Sequence, residues 1–153
     1  MSVQIVARIS NYDQLATMFK LAPARMTREI GVAVERVLTK LENTAKKEAP
    51  VNKQSGGGSL RQSIKHFMIG PASGKIEVGA PYAVFVHEGT RPHTITVVNK
   101  KVLANKRTNQ IFGKVVMHPG TKANPFLQRA VDSQQEFINN EFVKAVQRVL
   151  TLK

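Results

Sequence analysis

Cysteine is missing altogether, which removes a disulfide framework, a thiol nucleophile and a cysteine-built zinc site in one step. No apolar run approaches the roughly 20 residues that a membrane-spanning helix needs. The opening, MSVQIVARISNYDQ, has no basic stretch leading into a hydrophobic one, so a soluble chain without an export signal is expected. Acids are scarce: 10 aspartates and glutamates stand against 23 lysines and arginines, a formal net charge of +13. With 153 residues and 42% hydrophobic content, the chain has material for one core and little room for a second. A single domain over residues 1–153 is the expectation.

The charge imbalance is local. Residues 49–131 hold twelve basic residues against two acids, Glu77 and Glu88, a net +10, and no acid occurs from Gly89 to Val131. A merely solvating surface intersperses both signs, so the segregation points to a basic face aimed at phosphates or at an acidic protein neighbour. Arg91, Lys100, Lys101, Lys106, Arg107, Lys114 and Lys122 are the candidates to face such a partner. A generally basic surface with no particular partner is the bland alternative, because neighbours in sequence need not form a patch in space.

The branched residues of Val3–Ile9 read as a strand. From Tyr12 to about Ala49 only Pro23 and Gly31 interrupt, Pro23 marking a break or the first turn of the main helix, and apolar residues at Ile30, Val34, Val37, Leu38, Leu41 and Ala45 recur at spacings of three and four, one stripe of a long helix. Pro50 ends it. Next comes Asn52-Lys53-Gln54-Ser55-Gly56-Gly57-Gly58-Ser59, expected as a mobile loop and a subunit-contact candidate. No Gly-Lys-Ser/Thr follows these glycines and no strand precedes them, which argues against a phosphate cradle.

Ser63–Ile69, Lys75–Gly79, His93–Val98 and Ile111–Met117 then read as extended segments of a small antiparallel sheet. The last two form a hairpin across the basic connection 99–110, an arm expected to reach away from the body. Asn124 and Pro125 mark a helix start, and apolar spacing carries a C-terminal helix to about Leu150. The fold class expected is α+β: a small antiparallel sheet against a long N-terminal helix and a C-terminal helix, with a long basic hairpin arm.

The chain offers little for catalysis. His87-Glu88-Gly89-Thr90-Arg91-Pro92-His93 is the richest histidine cluster, but Gly89 and Pro92 argue against a helix, and adjacent residues of an extended segment point to opposite faces. A metal-dependent hydrolase around His87, Glu88 and His93 is therefore a minor reading. No Gly-x-Ser-x-Gly elbow exists. Phe67, Tyr82, Phe85, Phe112 and Phe126 neighbour apolar residues and read as core rather than as base-stacking platforms. No enzyme, no cofactor and no metal is expected.

Four motifs occur in order: Ala49-Pro50-Val51; Ser59-Leu60-Arg61-Gln62-Ser63-Ile64; Tyr82-Ala83-Val84-Phe85-Val86-His87-Glu88-Gly89-Thr90; and His118-Pro119-Gly120 with Asn124-Pro125-Phe126-Leu127. This order resembles the tail-component family of long-tailed bacteriophages and prophages, known as tail-completion, neck or head–tail joining proteins. The resemblance covers about residues 30–150. The chain departs from it after Val51, where eight residues replace a shorter link.

The resemblance implies a structural virion protein of the neck or tail top, made in the host cytoplasm. Its partners would be other neck and tail proteins and a homo-oligomeric ring of copies around the DNA channel, with non-specific DNA contact and no membrane. Its motif positions fall on Leu60, Arg61, Ser63, Tyr82, His87, Glu88, Gly89, Thr90, Pro119, Gly120, Asn124, Pro125 and Phe126. The alternative is a basic DNA-binding accessory protein without catalytic activity.

Overall fold

The computed structural model describes residues 3–7, 23–51, 57–98, 102–105 and 109–151. Of the expected loop, Asn52, Lys53, Gln54, Ser55 and Gly56 lie outside these, as do Lys100, Lys101, Lys106 and Arg107 of the arm. The fold is α+β. In chain order it runs β1 (Val3–Ala7), α1 (Pro23–Glu48), α2 (Ser59–Ser63), β2 (Ile64–Gly70), β3 (Ser73–Val78), α3 (Ala83–Glu88), β4 (His93–Thr96), β5 (Leu103–Asn105), β6 (Gln110–Gly113), β7 (Val115–His118), α4 (Phe126–Asp132) and α5 (Gln135–Thr151). Packing divides the chain into two compact units, Met1–Ala83 with Pro125–Lys153, and Val84–Asn124.

In the first unit α1 packs against α2, β2, β3, α4 and α5. Its 26 residues bury Met26, Ile30, Ala33, Val34, Val37, Leu38, Leu41 and Ala45 in the stripe that the spacing predicts. The sheet beside it is antiparallel in the order β1-β3-β2, with Ile64 opposite Val78 and His66 opposite Ile76. Alternation along β3 turns Gly74, Ile76 and Val78 inward, and Ile64 joins them. Each fully buried branched side chain of this kind contributes about 1.5–3 kcal/mol. Glycine at position 31 lets the helix approach closely: a Cβ there would lie 2.2 Å from the Pro71 carbonyl oxygen.

The C-terminal segment is two helices rather than one. The backbone N–H of Gln134 donates to the Val131 carbonyl, three residues back, and the Ser133 hydroxyl donates to the Ala130 carbonyl. These local bonds compete with the helical ladder and turn the chain before α5. Both helices rest on α1 and are tied to it by Arg129–Glu48 at 2.9 Å, Arg36–Glu141 at 3.3 Å and Arg148–Glu29 at 3.1 Å. The helix start falls one residue later than expected, with Pro125 in the capping position and Phe126 opening α4.

Two carboxylates hold these layers together. Burial by itself would raise the pKa of Glu42, but hydrogen bonds from Lys46, from the His66 ring and from the His66 backbone N–H at 2.9 Å, with the Lys46 charge, outweigh it and hold the carboxyl below its ordinary value. Glu141 is lowered chiefly by its hydrogen bond from Lys144 at 3.1 Å, helped by Arg36, against an opposing effect of burial.

A depressed folded pKa adds stability above the unfolded value of about 4.3, and that stability drains away as pH falls through the folded pKa. Urea titrations are expected to show a loss between about pH 5 and pH 3. Glu42→Gln or Glu141→Gln should lower stability at pH 7 by about 1–2 kcal/mol and flatten the acid slope. An unchanged slope in both variants would contradict this assignment.

Candidate interaction surface

The second unit, Val84–Asn124, is built from short ribbons. β4 pairs with β7 in register His93↔His118 to Thr96↔Val115, and β5 pairs with β6. The four extended segments of the sequence therefore do not make one sheet. The first two join β1, whereas the connection 99–110 holds its own strand, β5, and the long hairpin loop is correspondingly shorter. The rings of His93 and His118 stack, with centroids 5.0 Å apart.

Glycines and threonines close the base of the unit. Thr90 and Thr121 exchange backbone bonds of 3.0 and 3.1 Å, and their hydroxyls lie 3.0 Å apart. Gly89 and Gly120 flank this bridge with φ of +76° and +86°. His87 and Glu88 end a helical turn, which corrects the extended reading of this segment. Gly89 stops the helix after Glu88 instead of preventing it, and the backbone N–H of Asn124 donates to the carbonyls of Val86 and His87 at 3.0 and 3.2 Å, satisfying that helix end. Among the described residues, no group of three or more histidine, aspartate or glutamate side chains gathers as a metal site.

The other motif positions also hold structure. Arg61 donates to the carbonyls of Ala49 at 2.9 Å and Lys47 at 3.2 Å, a cation at the C-terminal end of α1. Leu60 is buried, and the Ser63 carbonyl accepts from the Gly79 N–H at 3.0 Å. Ser59, expected within the loop, opens α2 instead, and its hydroxyl lies 2.7 Å from that of Tyr82. Gly57 and Gly58 precede it, and Gly58 has φ +141°. Phe126 is buried. Pro119 lines a groove described next.

Of the seven basic candidates, Arg91, Lys114 and Lys122 fall in described residues, and all three are exposed on this unit. Lys114 stands between β6 and β7, where its carbonyl accepts from Val97 at 3.1 Å. Arg91 lines a hollow of about 640 Å³ with Phe85, Glu88 and His93. An open groove of about 490 Å³ runs along the ribbons, lined by Ile95, Leu103, Ala104, Phe112, Val116, Met117, His118 and Pro119.

The expectation that the aromatics are core fails for four of the five. Phe67, Tyr82, Phe85 and Phe112 are exposed, and only Phe126 is buried. A two-stranded ribbon has too few neighbours to cover both of its faces, so Phe112 and the aliphatics Ile111, Val115 and Met117 stay at the surface. Sequence reasoning missed this apolar surface. Its signal is the string Gln110-Ile111-Phe112-Gly113-Lys114-Val115-Val116-Met117, in which apolar residues do not alternate cleanly with polar ones. No protein-family model, curated protein or solved structure matches the chain.

Proposed function

We propose that the chain is a structural protein of the phage virion, acting at the neck or tail top, where copies around the DNA channel complete the tail or join it to the head. The observation that carries this reading is the second unit, where exposed Phe85, Ile111, Val115 and Met117 occur in a stretch almost free of acids. Large apolar surface is rare on a protein that works alone and ordinary on one that is covered by neighbours. The order of the four motifs supports the same reading, and those residues serve caps, turns and bridges, as suits assembly rather than chemistry. Its partners are other neck and tail proteins and further copies of itself, joined head to tail in a closed ring. It needs no cofactor.

Particles made without the chain are expected to leave heads and tails apart under the electron microscope; heads carrying functional tails in its absence would refute the proposal. Reversing the charge at Lys100, Lys101, Lys106 and Arg107 should cut the yield of infectious particles on the order of tenfold or more, because like charge set against a complementary neighbour costs several kcal/mol. The acid-free stretch equally suits a second reading, a DNA-binding accessory protein. The signature of that reading is duplex binding with a log–log salt slope near −0.9 per neutralised phosphate.

A further inference from the structure

We infer that the groove of the second unit receives an extended acidic segment of a different protein, one in which apolar side chains alternate with glutamate or aspartate. This deepens the virion reading and rests on it, since it names the kind of neighbour the basic unit meets. Two observations on the unit converge. The groove wall is aliphatic, formed by Ile95, Leu103, Val116, Met117 and Pro119 with Phe112 as its one aromatic side chain apart from His118. The sequence that builds the unit, residues 84–124, carries seven basic residues against the single acid Glu88.

Charge argues against a second copy as the occupant. A copy brings the same +13, and six of its ten acids are engaged in ion pairs of their own: Glu29 with Arg148, Glu35 with His66, Glu42 with Lys46, Glu48 with Arg129, Glu77 with Lys75, and Glu141 with Arg36 and Lys144. Wall chemistry argues against nucleic acid, because bases stack on flat aromatic faces and phosphates seek charged donors, whereas a wall made mostly of aliphatic side chains offers little of the first and none of the second. An extended peptide suits both features. Each of these ribbons has two strands, so among the described residues each strand has one edge on which no further strand pairs, and a strand laid there turns alternate side chains in opposite directions. Apolar residues then enter the groove, and the carboxylates turned away from it are matched in charge by the exposed cations of the unit, Lys114 next to β7 and Arg91 and Lys122 next to the Thr90–Thr121 bridge.

The test uses the full chain and three fluorescent probes: a peptide of about twelve residues alternating glutamate with leucine and valine, the same peptide with serine for every apolar residue, and a DNA duplex of about 20 base pairs. At about 0.15 M salt the first peptide is expected to bind at least about tenfold more tightly than the second. Met117→Ser with Phe112→Ser, both at exposed positions, should erase that advantage and leave duplex binding unchanged, whereas Val143→Ser on α5 should keep it. No binding of the first peptide, equal binding of the two peptides, or an advantage that survives the groove variant would each overturn the inference. Groove-dependent binding by a chain absent from finished particles would sink the virion reading alone. A chain located in the particle neck without such binding would sink only the peptide.

Discussion

Phe126→Ala is expected to lower the free energy of unfolding by about 3–5 kcal/mol, the range for truncating a large buried aromatic. The ring has no exposed surface, and Leu127 and Ala130 beside it are buried too. Its helix is held to α1 by the Arg129 guanidinium, which donates to the Glu48 carboxylate at 2.9 Å and to the Glu48 carbonyl at 3.3 Å. The long helix cannot collapse into the vacated space without disturbing the sheet that packs on it, so most of the cavity should persist. Against a total stability of about 5–15 kcal/mol, this is about a fifth of the margin at the least. Denaturant midpoints measure it directly. Phe85→Ala is the matched control: that ring is 59% exposed and its loss should stay within about 0.5 kcal/mol. Equal losses for the two would mean that Phe126 is not part of the core.

The contrast between these phenylalanines shows what the sequence makes legible. Helix α1 is readable because a single apolar stripe persists over about seven turns and Pro23 and Pro50 bracket it. The five aromatics read alike, since each neighbours apolar residues along the chain, but adjacency does not say whether another layer covers the strand. The first unit supplies such a layer, and Ile64, Ile76 and Val78 disappear beneath it. Around β6 and β7, Ile111 and Met117 have none and remain exposed. The break at Ser133 was equally hidden, because the apolar spacing of Leu127, Val131, Ile138 and Phe142 continues through it while side-chain hydrogen bonds decide the turn. Segregated charge was legible as a sum; that an apolar groove lies in the same unit required the register of β4 and β7.

Gly120→Val is expected to cost about 3–5 kcal/mol and to open the base of the second unit, because strain and lost bonding add. At φ +86° a β-branched side chain is strained wherever it points. Its Cβ would lie 2.2 Å from the Thr90 carbonyl oxygen, 2.9 Å from the Arg91 carbonyl carbon and 3.1 Å from the Pro92 nitrogen, all backbone atoms that cannot swing aside. Relief requires Thr90 to part from Thr121, which gives up two backbone hydrogen bonds at about 1 kcal/mol each. Gly113 supplies the control. It too has positive φ, +92°, but a Cβ there meets nothing within 4 Å, so Gly113→Ala should show conformational strain alone, about 1 kcal/mol. Amide hydrogen exchange reads the difference: the Thr90 and Thr121 amides should lose protection in Gly120→Val and retain it in Gly113→Ala. If both variants exchange alike, close backbone approach is not what makes position 120 a glycine. The bridge would then not be what fixes β4 against β7, and the groove those strands line would need another source of rigidity to hold an extended segment in one register.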